Sequence, residues 1–167
     1  MTRRRDPELE TTDPPTSYLD HNATSPLLDV AREALIEALD TVIGNPSSAH
    51  QDGVRARALL DRSRARIAAA IGASRPDQIV FTSGGTESNN LAILGAAGRM
   101  PGSARLVTTS IEHPSVLRVF EHLGRGGRPI LVVDPDRDGR VPIDRILDAV
   151  RGAPPGLISL QLANHET

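Results

Sequence analysis

Cysteine and lysine are both absent from this 167-residue chain. Without cysteine there is no disulfide framework, no thiolate nucleophile and no cysteine metal site. All 19 residues of the Lys+Arg count are arginine. A guanidinium stays protonated and does not act as an amine nucleophile, so this polypeptide cannot form a side-chain Schiff base. No apolar run approaches membrane-spanning length, and the N-terminus lacks the apolar segment of a secretory signal. A net charge of −2 gives no electrostatic reason to expect nucleic acid or an anionic membrane as partner. His21, His50, His113, His122 and His165 contain no pair at recognisable ligand spacing, so no metal site is expected. These exclusions lead to the expectation of a cytoplasmic protein.

What remains is a soluble globular composition, with 38% hydrophobic and 24% charged residues and enough length for one domain with a substantial core. Residues 1–16 have three prolines and no apolar periodicity, and read as a disordered arm. An N-terminal segment follows over 17–53. Val30, Ala34, Leu35, Ala38, Leu39 and Val42 recur there at helical spacing. Gly44-Asn45-Pro46-Ser47-Ser48-Ala49-His50 is then a polar loop, rich enough in hydrogen-bonding groups to line a site or to cap itself. From about Val54 to Ile71 a helix carries arginines on a solvated face, and Gly72 ends it.

The stretch Gln78–Gly95 organises the rest. Ile79-Val80-Phe81 has the composition of a buried parallel strand, and Thr82-Ser83-Gly84-Gly85-Thr86 interrupts it. Leu91, Ile93 and Leu94 supply a helical face, with Glu87 in the first turn. A glycine-rich turn before a helix aims backbone N–H groups at one point, which suits a phosphate. It matches neither GxxxxGK[ST] nor GxGxxG, and plain turn chemistry explains it as well.

Beyond it, strands are expected at 106–109, 129–133 and 157–162, with helices from Pro114 and from about Val141 to Val150. This alternation implies an α/β fold with a mostly parallel sheet, helices on both faces and the N-terminal helical segment outside it. The strand ends carry Ser83–Thr86, Glu112-His113 and Asn164-His165-Glu166, which predicts one polar rim. His113 admits two readings there, a helix cap or a ring that stacks on a planar ligand and exchanges protons.

Five ordered stretches carry a resemblance: YLDHNATSP at 18–26, GNPSSAH at 44–50, FTSGGTESNN at 81–90, EHPSVL at 112–117 and ANHET at 163–167. From residue 18 onward the chain resembles the N-terminal part of the cysteine desulfurases, in the class V aminotransferase group of pyridoxal-phosphate enzymes. The resemblance implies a partial pyridoxal-phosphate-transferase large domain, with residues 54–167 as an incomplete cofactor-binding α/β domain. It implies that Gly85 and Thr86 bind the phosphate of pyridoxal 5'-phosphate and that His113 stacks on its ring, supporting it and moving protons. His165 stands where the family has an asparagine that hydrogen-bonds the cofactor's phenolic oxygen; a neutral imidazole can donate one such bond.

The resemblance also implies an activity: L-cysteine, or a related amino acid such as selenocysteine, loses its sulfur to an enzyme persulfide. A homodimer and a sulfur-acceptor protein are the implied partners. The family's Schiff-base lysine and persulfide cysteine have no counterpart here, so this chain alone is expected to be inactive and to be a fragment. The alternatives are a non-catalytic protein that binds phosphate ligands or partners, or one half of a split enzyme.

Overall fold

The structure is a computed structural model that describes residues 17–151 and 155–164. The arm expected at 1–16 lies outside the described residues, and so does His165. Contacts group the chain into two compact units, one ending at Ser63 and one beginning at Arg64.

In the first unit, α1 (Asp29–Thr41) has an acid in its first turn and buries none of its residues. The 44–50 loop satisfies itself. Asn45 Oδ1 accepts from Ser47 N at 2.9 Å, Asn45 O from Ser48 N at 2.9 Å, and Pro46 O from Arg57 Nε at 2.7 Å. Gly44 in the loop and Gly53 in the helix that follows are required by close approach: a Cβ on Gly44 would stand 2.6 Å from Asp52 O, and one on Gly53 2.8 Å from Asn45 O. These bonds support a capped connection at this loop. α2 (Gln51–Ile71) runs into the second unit. It ends in a Schellman turn, with Gly72 at φ +73° and Ala73 N donating to Ala68 O at 2.8 Å.

The second unit is a parallel three-stranded sheet in the order β2-β1-β3, built from β1 (Leu106–Thr109), β2 (Ile130–Val133) and β3 (Leu157–Ile158). α3 (Gly85–Gly98), α4 (Pro114–Arg125) and α5 (Ile143–Val150) flank it. β1 is central, and successive residues serve opposite faces. Leu106 joins Ile93, Ala97, Val116, Val119 and Phe120 under α3 and α4, whereas Val107 joins Val133 and Ile146 under α5. Helices therefore cover both faces, and β1 is buried throughout. Arg128, just before β2, closes the far end of α3 by donating to the carbonyls of Ala97, Met100 and Pro101. A guanidinium suits the negative end of a helix dipole.

Two expected strands are corrected. Ile79-Val80-Phe81 is not part of the sheet, and Val80 and Phe81 are 65% and 43% exposed. Their composition favours extension, yet among the described residues no strand pairs with them. Arg64 holds the segment instead, with Nε donating to Ile79 O at 3.2 Å and the guanidinium 5.4 Å from the Phe81 ring centroid. The strand expected over 157–162 stops at Ile158. Ser159 N still bonds Val107 O at 2.9 Å, but the next inward donor, Gln161 N, goes to the Glu112 carboxylate at 2.5 Å. A side chain has taken the acceptor position that a strand carbonyl would hold.

Candidate functional site

The turn before α3 is open where most helix starts are closed. Gly84, its N-cap residue, is fully extended and supplies no side-chain cap. The hydroxyls of Thr82 and Ser88 do not help, because both reach the Gly84 carbonyl, at 3.1 and 3.2 Å. Glu87 turns back to Ser83, accepting from its N and its Oγ at 2.6 Å each. Those hydrogen bonds, side chain first, hold the Glu87 carboxyl below its ordinary value. Among the described residues no acceptor meets the amides of Gly85, Thr86 and Glu87. A Cβ on Gly84 or Gly85 would meet nothing within 4 Å, so the space in front of these amides is clear. Uncapped first-turn amides at the positive end of a helix dipole are donors suited to an anion.

α4 starts in the opposite way. His113 is its N-cap residue, and its Nδ1 accepts from Ser115 N at 3.1 Å. Pro114 follows at the first helical position, where its missing N–H is no loss. His113 thus does cap its helix, which leaves open a second role for the same ring. Asn89 joins the two helix starts: it lies one turn beyond Thr86, and its Nδ2 donates to Ser115 Oγ at 2.8 Å.

The tail after β3 comes to the same end of β1. Gln161 Nε2 and Asn164 Nδ2 both donate to Ile111 O, at 2.5 and 2.7 Å. Glu112 is only 6% exposed. Burial pushes its carboxyl up from the ordinary carboxylate value, against the hydrogen bond from Gln161 N. The residue before His165 therefore sits two positions from His113, although His165 itself is outside the described residues.

The rim expected from three strand ends needs one correction. Glu112-His113 follows β1, and Gln161–Asn164 follows β3, but Ser83–Thr86 follows an unpaired segment. That turn reaches the rim through α3 and the Asn89–Ser115 bond. Reading the sequence placed Glu112 on the rim but missed Asn89, Ser115 and Gln161 there. Ser115 could have been marked from its place in the first turn after His113-Pro114. Nothing local marks the partner 26 residues away. Among the described residues no group of three or more His, Asp or Glu could hold a metal ion, and no helix is long and apolar enough to cross a membrane.

The family pattern of the class-V aminotransferases matches residues 17–167. A Bacillus subtilis relative, IscS 1, is 44% identical over 135 residues, covering 80% of this chain and 35% of the relative. A cysteine desulfurase of Sinorhizobium fredii is 39% identical over 151 residues, covering 90% and 39%. The solved structure of SspA in complex with cysteine superposes with a TM-score of 0.79 at 33% identity, covering 90% of this chain and 43% of that one. The chain spans about two fifths of the length of the relatives it matches. With the match running from residue 17 through the uncapped turn and both rim loops, this chain belongs to the class-V aminotransferases, a family of pyridoxal-phosphate enzymes that includes the cysteine desulfurases.

Proposed function

We infer that this chain is the phosphate- and ring-holding part of a cysteine desulfurase. The observation that carries the reading is the row of unmet amides at Gly85–Glu87, joined through Asn89 and Ser115 to His113. The residues fit the cofactor. An open, positively polarised helix start suits a phosphate dianion, and an imidazole tied to the same helix by two hydrogen bonds suits an aromatic ring. Gly85 N–H and the Thr86 hydroxyl would hold the phosphate. His113 would lie against the ring, and residue 165 would meet the phenolic oxygen.

Pyridoxal phosphate, when bound, supplies an aldehyde that links to an amine and a ring that withdraws electrons from the substrate's α-carbon. The remaining work of this chain is binding and orientation. α3 fixes the anion, α4 fixes the plane of the imidazole, and the Glu112–Gln161 bond holds the second rim loop beside the first. The sequence has no lysine for the amine link and no cysteine to carry sulfur, so the 167-residue chain alone does not turn over. In the complete enzyme L-cysteine would give alanine and a persulfide passed to an acceptor protein, within a homodimer and in the cytoplasm. The cysteine bound in SspA supports that substrate class.

The test is a titration of the purified chain with pyridoxal 5'-phosphate followed by its phosphorus resonance. Saturable binding is expected, competed by inorganic phosphate and weakened several-fold by Thr86→Ala. Equal binding of pyridoxal lacking the phosphate would overturn the phosphate site, and alanine formed from L-cysteine by this chain alone would overturn its inactivity.

A second reading, one half of a split enzyme, draws on the Ile79–Phe81 segment, whose Val80 and Phe81 are exposed and which pairs with no strand among the described residues. Co-expression with the remaining C-terminal part of a desulfurase relative decides it. A co-purifying, alanine-forming pair supports a split enzyme, and two chains that purify apart rule it out.

A further inference from the structure

The hydrogen-bond chain from α3 to the imidazole has a direction. A serine hydroxyl holds one proton and two acceptor sites. Asn89 Nδ2 donates to Ser115 Oγ at 2.8 Å, filling an acceptor site. The Ser115 proton is then directed to His113 Nδ1 at 2.7 Å, where the Ser115 backbone N–H also arrives at 3.1 Å. Ser115 is 8% exposed, so water competes poorly for these groups. A nitrogen that accepts two hydrogen bonds does not carry the proton, and the neutral ring must hold it on Nε2.

We propose that Asn89 and Ser115 are positioning residues that lock His113 as the Nε2–H tautomer and fix its ring plane from α3, the helix that begins with the anion site. The proposal rests on the reading of His113 as the residue that lies against the cofactor ring. It assigns that residue a specific chemistry. In its neutral form His113 offers a donor at Nε2, with its one lone pair already engaged at Nδ1. His113 therefore stacks and donates, and does not take a proton through Nε2. It also couples the two halves of the site, because a change at Asn89 reaches the imidazole without touching it.

The test is nitrogen-detected imidazole spectroscopy of the full chain labelled with 15N-histidine, with no cofactor added. In the unsubstituted chain His113 is expected to show the pattern of a pure Nε2–H tautomer. Ser115→Ala should shift the Nδ1 resonance toward that of exposed His50, Asn89→Ala should shift it in the same sense, and Ser115→Thr should return it. The other described histidines serve as the folding control, and Asn89→Ala stands in if Ser115→Ala does not fold. An Nδ1–H pattern in the unsubstituted chain, an unmoved resonance in the alanine variants, or no return with threonine overturns the proposal. Adding pyridoxal phosphate separates it from the reading beneath it. Phosphate-dependent binding that leaves the His113 resonances in place would end the ring assignment and leave the tautomer lock intact.

Discussion

α3 and α4 begin at the same end of the unit and are built to opposite specifications. α4 is closed: an imidazole accepts from its first-turn amide, and proline removes another donor. α3 is open: Gly84 precedes three unmet amides, that of Gly85 among them, and the nearby hydroxyls and carboxylate are occupied elsewhere. Capping is worth about 1 kcal/mol at an ordinary helix start, so the open end forgoes stability that its own neighbours could have supplied. Ser83 and Glu87 are chemically able to cap the helix and instead bond each other. Stability withheld at one helix start and taken at its neighbour is the pattern expected of a ligand site beside its support.

The largest expected effect comes from removing what the two helices share. Phe120 is buried between them, and Phe120→Ala should cost about 3–5 kcal/mol in urea unfolding of the chain. Both helix starts would lose their footing together, and His113 would lose its distinct imidazole signals. Closing α3 is the next test. Gly84→Asp fits without a clash and should stabilise the chain by about a few tenths of a kcal/mol, since glycine is itself a tolerated N-cap residue. It should weaken pyridoxal-phosphate binding at least about tenfold, or ~1.4 kcal/mol, by filling the amides with a like charge. Gain of stability with loss of binding is the signature, and tighter binding in this variant would refute the open-end reading. Opening α4 is the reverse experiment. His113→Ala should cost about 1 kcal/mol or more, measured by the same unfolding, through loss of the cap and of the bond to the Ser115 hydroxyl.

The smallest effect is in the pH dependence, where two carboxylates near these helix starts shift in opposite directions. Glu87 lies below its ordinary value, so its contribution to stability is present above pH 4.5 and is lost as pH falls through its lowered value. Glu112 lies above its ordinary value, so its contribution is full below pH 4.5 and is lost as pH rises through the raised value. Glu87→Gln should therefore lose ground against the parent chain as pH rises toward neutral, whereas Glu112→Gln should gain. Unfolding midpoints measured between pH 3 and pH 7 (range set by the ordinary carboxylate values) check both. Parallel slopes would mean that either the Ser83–Glu87 hydrogen bonds or the burial of Glu112 is absent in solution.

What could be read from the sequence was local. β1 and the start of α4 fall where the apolar run Leu106–Thr109 and the residue Pro114 place them, because strand composition and a proline at the first helical position act over a few residues. The glycine-rich turn was equally visible as an open helix start. Ile79–Phe81 shows where such reading ends. Its residues are suited to a strand, and extension followed, but membership of a sheet is decided by a partner elsewhere in the chain. β3 fails for a related reason, since Gln161 N is claimed by Glu112, 49 residues earlier. The Asn89–Ser115–His113 chain belongs with these, because each residue looks ordinary until two helices bring them together.

The Glu112–Gln161 bond also works as a ruler. A single carboxylate fixes which residue of the tail stops at the rim, and Asn164 is then three steps further on, against Ile111. Side chains alternate along an extended tail, so inserting or deleting one residue between Ile158 and Gln161 would present the wrong face to Glu112. The distance between β3 and the tail motif is thus a counted length.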